Sequence, residues 1–517
     1  MNAVAGAPSV IRHAQFRRRR HRAAIGGGIE PARGRVPAKF PMTEATFESE
    51  TVSALRAIVG EAGILTGEDT ASYCEDWRKI YRGQVLAVIR PSATAEVAEA
   101  VRFCAERNIA VVPQGGNTGM VGGATPVAGK SQIVLSLARM NRARAIDAID
   151  LTMVIEAGMT LRAARDAANE AGCLFPLSIA SEGTAQIGGI LATNAGGINT
   201  VRYGNARDLV LGLEVVLADG QVWNGLRRLR KDNTGYCLRQ LFVGSEGTLG
   251  VITAAALKLY PRQDLVETVF CAVPSPEAAL ALFNRIQKSD PAALQSFEII
   301  SGNTLELVLR HIPGVVRPLP ERASYYALIE CAAPQGNSNL RQRLETGLQA
   351  AMTDGIIGDV AVAETEAQRR ALWKLREDIT EAQAMEGISI KNDVSVPVSA
   401  TPEFIRQATA ACEAAMPGVA VIAFGHMGDG NIHYNLMKPG DMSIEEFGRR
   451  GPDFTGIVNE VIRELDGSFS AEHGIGQLKT SMLAAWRVGA ELDVMHRIKK
   501  ALDPLNLLNP GKLFPAN

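Results

Sequence analysis

Three glycine-rich segments constrain this chain more than any other feature: PQGGNTGMVGG (113–123), SEGTAQIGGILATNAGG (181–197) and GSEGTLG (244–250). The first directly follows an apolar run. Glycine permits positive φ and close backbone approach, so such loops can line up amide N–H groups against phosphate oxygens. A single glycine pair reads as a tight turn, but three clusters exceed what turns need. They raise the glycine content to 50 in 517 residues, against a usual 7% or so. The dinucleotide fingerprint GxGxxG is absent. GATPVAGKS (123–131) approaches a Walker A loop, but five residues rather than four separate Gly123 from Gly129, and Pro126 interrupts it. The loops therefore predict a phosphate-bearing ligand held by neither of those frameworks.

Around the loops, strand and helix signals alternate. QVLAVIRP (84–91), IAVVP (109–113), IVLSLARM (133–140), MVIEAG (153–158) and VLGLEVVLADG (210–220) read as strands. TAEVAEAVRFCAERN reads as a helix with Val97, Val101 and Cys104 on its apolar face. The pattern predicts an α+β domain over 42–264, with a boundary near LKLYPRQD. A second α+β domain is expected over 265–500. There, TVFCAVPS and YYALIECAA are strands, 338–355 and 364–386 are helical, and VAVIAFGHMGDGNIHYNLM (419–437) is two strands around a turn. Residues 501–517 form a C-terminal segment.

The net charge of −1 argues against a globally basic nucleic-acid binder. It conceals nine basic residues and one acid within 1–41. That segment reads as a disordered extension: an Arg-rich but Ser-poor transit peptide, a basic arm, or a stretch preceding a start at Met42. No run approaches the roughly 18 apolar residues of a membrane span. Seven scattered cysteines, none spaced CxxC, suit a reducing compartment, with cysteine as a small buried apolar group. A cytoplasmic location is expected, or the mitochondrial matrix if 1–41 is a transit peptide.

The loop segments, together with LFVGSEGTLGVIT and LNPGKLF, resemble flavoproteins of vanillyl-alcohol oxidase type. Their order and wording are closest to the FAD-linked D-2-hydroxyacid dehydrogenase branch, over about 50–517. The resemblance implies an N-terminal FAD-binding domain and a cap domain that takes the substrate. It implies that Gly115, Gly116, Asn117, Thr118 and Gly119 cradle the pyrophosphate, and puts Pro113, Gly122 and Gly123 in the same site. Ser181, Gly183, Thr184, Gly188, Gly189, Asn194, Gly196 and Gly197 are expected along the cofactor, with Glu246, Gly247 and Ile252 near it and Asn509 beside the flavin ring. Some relatives tether FAD through a histidine in the first loop; Gly116-Asn117-Thr118 has none, so noncovalent FAD is expected.

Of seven histidines, His426 and His433 flank a Gly-Asp-Gly turn, and Glu472-His473 arrives from SAEHGIG. Two imidazoles and a carboxylate form a ligand set for zinc or another divalent metal such as manganese. A hydrogen-bonded histidine pair fits the spacing equally well. The resemblance assigns His426, His433 and Glu472 to the metal. His473 is the candidate base for the substrate hydroxyl, and Asn435, on the strand face of His433, could bind a carboxylate.

Arg376 and Thr380 lie at i, i+4 in LWKLREDITEAQ, and Lys391 follows in IKNDVSVPVS. An isolated helix arginine usually faces solvent. The resemblance makes Arg376, Thr380 and Lys391 a carboxylate clamp, and two cations beyond the metal suggest a dicarboxylate. D-2-hydroxyglutarate is then favoured over D-malate or D-lactate, unless Glu377, Asp378, Glu381 or Asp393 pairs with those cations. An oxidase, or a flavin-binding subunit without catalysis, are the alternative functions. The electron acceptor (an electron-transfer flavoprotein, a cytochrome or a quinone) and a homodimer both stay open.

Overall fold

The computed structural model describes residues 44–336 and 339–515. The basic extension at 1–41 lies outside them. The chain divides into a short unit, Met1–Phe47, and a large one, Glu48–Asn517; the account below concerns the second.

The N-terminal half builds two main sheets. The first has four strands in the order Ile64–Leu65, Val88–Ile89, Gln132–Ser136, Ala110–Gln114. Val88–Ile89 and Ala110–Gln114 both run parallel to Gln132–Ser136. Parallel strands need a crossover, and helix Thr94–Glu106 connects Val88–Ile89 to Ala110–Gln114 in the chain. It buries Val97, Val101 and Cys104, the face its apolar period marks out. The second sheet is antiparallel, in the order Ala143–Asp147, Thr152–Glu156, Val251–Lys258, Val210–Val216, Val222–Gly225.

From Leu265 on, seven antiparallel strands form one sheet. Their order is Asp359–Val362, Leu265–Val273, Tyr325–Ala333, Leu294–Ser301, Ala420–His426, Asn431–Met437, Ser389–Ser395. Strand alternation gives this sheet two cores. Val269, Cys271 and Val273 pack with Leu282, Leu344, Phe404 and Phe454 on one face. Phe270 and Ala272 pack with Leu305, Leu372, Trp373 and Ile379 on the other. Helix Pro276–Ser289 starts where it does because the Ser275 hydroxyl accepts from the Ala278 N–H and Pro276 occupies the first turn. Six of the seven cysteines are buried, and Cys237 is exposed.

One helix departs from expectation. The stretch 364–386 is two helices, Glu366–Glu377 and Ile379–Glu386, with a bend at Asp378. Arg376 and Ile379, three residues apart, are both buried. Arg376 and Thr380 therefore sit on consecutive helices rather than on one face of a single helix.

The C-terminal segment returns to the first sheet. The Val111 N–H donates to the Leu507 carbonyl at 2.8 Å, and the Asn509 N–H donates to the Val111 carbonyl at 2.8 Å. The Asn509 side-chain amide donates to the backbone carbonyls of Gly123, 2.9 Å, and Glu246, 2.6 Å. It thus ties the first glycine loop to the third. Lys512 follows, 2% exposed, and among the described residues its Nζ donates only to the Pro510 carbonyl, at 3.4 Å. Burial lowers this amine to about 7, against the partial opposition of Glu246.

An unfolded lysine titrates near pH 10.4. Between about pH 7 and pH 10 the unfolded chain therefore holds the extra proton, and stability rises with pH across that window. Lys512→Met is expected to flatten this rise, measured by urea unfolding at pH 7 and pH 9. An unchanged slope would mean that the buried amine stays charged.

Candidate active site

The glycine loops and the histidines line one cavity of about 1710 Å³. Pockets for drug-sized ligands measure about 300–1,000 Å³, so this space is larger than one small ligand needs. Pro113, Gly115, Gly116, Asn117, Thr118, Gly119 and Gly123 line it from the first loop. Among the described residues, no amide N–H from Gly115 to Gly119 donates to a protein acceptor. That run of free donors is a nest for an anion. A Cβ at Gly116 would lie 2.1 Å from the Thr184 carbonyl oxygen, which fixes the first loop against the second.

Ser181, Gly188, Gly189, Gly196 and Gly197 line the cavity from the second loop, and Glu246, Gly247 and Ile252 from the third region. Side chains at Gly119 or Gly189 would enter open space, so their absence keeps the cradle clear. The cavity, the free amides and the bare backbone all fit a dinucleotide. Five residues expected at the cofactor do not line the cavity: Gly122, Gly183, Thr184, Asn194 and Asn509. Gly122 packs on the Tyr81 ring. Asn194 Oδ1 accepts from the Arg207 N–H at 2.9 Å. Asn509 joins loops, as above, and its Oδ1 is buried without a partner.

The seven-stranded sheet presents the ionisable groups through its register. Glu298 lies opposite His426, Phe424 opposite His433, and Asp393 opposite His433 on the far side. His426 Nδ1 is 2.5 Å from Glu298 Oε1, which leaves Nε2 facing Glu472 Oε1 at 3.7 Å. One ligand atom from each of His426, His433 and Glu472 can be chosen so that all lie within 4.8 Å of one another.

Asp393 assembles the other half of the site. Its Oδ2 accepts from the backbone N–H groups of Glu472 and His473, each at 3.0 Å, and its Oδ1 accepts from Asn431 Nδ2 at 3.0 Å. The same carboxylate lies 3.3 Å from His473 Nδ1 and 3.6 Å from His433 Nδ1. Glu246 anchors the loop further on, accepting from the Ile475 and Gly476 N–H groups at 2.7 Å each. A Cβ at Gly476 would lie 2.2 Å from the Val121 carbonyl oxygen, so the histidine loop rests directly on the first glycine loop.

Burial alone would raise Glu298, but His426 and Arg376 hold it down to about 2. Burial alone would lower His426; Glu298 and Glu472 outweigh it and raise the imidazole to about 9. His433 is lowered to about 3 by burial, despite Asp393. Asp393 is pushed up by burial and pulled further down by His473 and His433, so it stays below the usual carboxylate range. Burial pushes Glu246 and Glu472 up.

Arg376, Thr380, Lys391 and Asn435 line the same cavity. Arg376 Nε donates to Glu298 Oε2 at 2.6 Å, and the guanidinium lies 4.8 Å from the centre of the Phe424 ring. None of Glu377, Asp378, Glu381 or Asp393 pairs with Arg376 or Lys391. Asn435 is held on both sides: Nδ2 donates to Gln383 Oε1 at 3.1 Å, and Oδ1 accepts from the Asn392 N–H at 3.2 Å. Gln383 is 1% exposed, and its Nε2 has no partner. Glu298, Asp393 and Gln383 are site residues that motif reading passed over. A carboxylate inside the apolar strand LQSFEIIS was the available signal for Glu298.

The glycine cradle and the groups around it place the chain among FAD-dependent oxidoreductases. Residues 85–225 match the FAD binding domain family and residues 262–513 match the FAD linked oxidases, C-terminal domain. Among solved structures, p-cresol methylhydroxylase superposes with a TM-score of 0.70 at 18% identity, over 92% of this chain and 98% of that one. The fold is thus the α+β fold of vanillyl-alcohol oxidase type. The D-2-hydroxyglutarate dehydrogenase of Xanthomonas citri is 39% identical over 446 residues, 86% of this chain and 93% of the relative. The mitochondrial D-2-hydroxyglutarate dehydrogenase of Bos taurus is 37% identical over 484 residues, 93% and 87% respectively. The chain belongs to the D-2-hydroxyglutarate dehydrogenase family and is an FAD-dependent oxidoreductase.

Glu246→Ala strands two buried backbone N–H groups, each worth about 1–3 kcal/mol when left unpaired. The variant is expected to show a lower thermal midpoint and weaker FAD retention, read by differential scanning and by visible absorbance after dialysis. An unchanged midpoint would show that the loop stands without this anchor.

Proposed function

We propose that the protein oxidises D-2-hydroxyglutarate to 2-oxoglutarate, using noncovalent FAD and a divalent metal held by His426, His433 and Glu472. The observation that carries this reading is the ligand triad. Its His426 member is already oriented by Glu298, as metal-bound histidines usually are by a carboxylate. Burial favours the neutral imidazole that a metal requires at His433, whereas His426, raised by Glu298 and Glu472, has to give up its Nε2 proton to the metal. The absence of a histidine at Gly116-Asn117-Thr118 supports noncovalent attachment.

Bound FAD supplies a hydride acceptor, and a bound divalent cation, zinc or manganese, supplies Lewis acidity toward the hydroxyl and carboxylate oxygens of the substrate. The chain's own residues do the rest. Asp393 holds His473 through Nδ1, so Nε2 is free to take the hydroxyl proton. The terminal N–H groups of Arg376 have no protein partner among the described residues, and they can meet a carboxylate while Nε stays on Glu298. Thr380, Lys391 and Asn435 complete the clamp.

Anaerobic addition of D-2-hydroxyglutarate is expected to bleach the flavin, and D-lactate to do so far less well. A flavin that no D-2-hydroxy acid reduces overturns the reading. Chelator treatment, or His433→Ala, is expected to abolish turnover while the flavin spectrum persists; activity surviving both would remove the metal. Arg376→Ala leaves Glu298 buried with His426 alone opposing its charge, so turnover should fall with every substrate, as measured by kcat for mono- and dicarboxylates.

A further inference from the structure

Nine cations line the cavity besides Lys479, and most are already matched. Arg162 and Arg165 pair with Glu182. Arg369 and Arg370 pair with Glu366, and Arg262 pairs with Asp264. Lys374 pairs with Asp378, and Arg376 pairs with Glu298. Lys479 lacks a carboxylate partner but donates to the Phe469 carbonyl and the Ser470 hydroxyl. Two remain, Arg78 and Lys391. Neither has an ion pair among the described residues, and both line the cavity.

Arg78 reaches the cavity from the N-terminal half of the chain. Its Nη1 donates to the Met120 carbonyl at 2.9 Å, and the neighbouring Trp77 Nε1 donates to the Gly119 carbonyl at 3.1 Å. These bonds fasten the Trp77-Arg78 segment to the first glycine loop. Among the described residues the Nε and Nη2 donors of Arg78 have no protein acceptor, and that edge is the fork which grips a carboxylate in two places. Lys391 comes from the seven-stranded sheet, opposite Asn435 and two residues before Asp393. Partial burial, and then the charge of Arg78, lowers the Lys391 amine from its ordinary value. Both residues line the cavity, and two like charges that act on each other there without a counterion weaken the empty site. An anion between them relieves that repulsion and gains both sets of donors.

We propose that Arg78 is a substrate-binding residue, and that Arg78 and Lys391 together hold the carboxylate far from the reacting carbon. The assignment rests on the dicarboxylate reading above and sharpens it. Arg376 is committed to Glu298 beside the histidines, so it suits the carboxylate next to the hydroxyl. Arg78 and Lys391 then form the second anion site, and their spacing selects for chain length. A phosphate of FAD offers the same chemistry to Arg78. The position of Lys391, on the strand that carries Asp393, favours the substrate.

The test compares Arg78→Gln with the unaltered enzyme on D-2-hydroxyglutarate and on D-2-hydroxybutyrate, which has no distal carboxylate. The ratio of kcat/KM for the two acids is expected to fall at least tenfold, mainly through KM for the dicarboxylate, with flavin content unchanged. Arg78→Lys should recover part of the ratio. A glutarate titration of the flavin spectrum gives a readout that needs no turnover, and its Kd should rise by a similar factor. An unchanged ratio with an unchanged glutarate Kd overturns the assignment. Loss of bound FAD from Arg78→Gln overturns it too, in favour of a phosphate contact. An unaltered enzyme that binds glutarate but is not reduced by D-2-hydroxyglutarate would instead defeat the functional reading and leave the anion site standing.

Discussion

The buried carboxylate of Asp393 is the interaction on which the site depends. It sits in an edge strand of the seven-stranded sheet, 4% exposed. A carboxylate there is costly unless its lone pairs are filled. They are filled by the backbone of Glu472 and His473 and by Asn431. The same requirement that stabilises Asp393 therefore brings Glu472, the carboxylate proposed for the metal, and the candidate base His473 to the sheet. Both imidazoles nearest it, His433 and His473, present Nδ1 toward it. This orients the two rings and leaves the other nitrogen of each for chemistry.

A second carboxylate, Glu246, couples this assembly to the cofactor loops. It lies in the third glycine cluster with φ of 51° and hydrogen-bonds to the backbone just past His473. Asn509 does the matching work from the C-terminus by joining Gly123 and Glu246. The cofactor cradle and the substrate groups are thus held at a common set of backbone atoms rather than by two surfaces that merely abut. Hydride transfer needs such rigid positioning, since small displacements of reacting atoms cost large factors in rate.

Much of this was legible in the residues themselves. The apolar face Val97-Val101-Cys104 predicts the buried side of its helix. The turn between His426 and His433 predicts a hairpin, and the hairpin is there, Ala420–His426 with Asn431–Met437. The glycine clusters predict an anion-binding cradle, and unpaired amides line the cavity at the first of them. The helix over 364–386 read as continuous because its apolar spacing hardly changes across Asp378. The chain breaks at Asp378, with Arg376 on Glu298 and Ile379 in the core, and neither partner is near in sequence. Asn509 gains a role that only packing shows. Its motif marks it as close to the cofactor loops, but only the packed chain makes it a link between two of them.

The sequence by itself determined the elements and the chemical vocabulary: strands and helices from local periodicity, a phosphate cradle from glycine, and a ligand set from histidine and glutamate. These follow from properties of residues within a few positions of one another. Tertiary structure alone decided which charges cancel. Glu298 is 78 residues from Arg376 and 128 from His426, and no local pattern announces that one carboxylate serves both. Pairing over such distances is settled by sheet register and by the energetic cost of burying an unmatched charge. It is also what leaves Arg78 and Lys391 without an ion pair among the described residues.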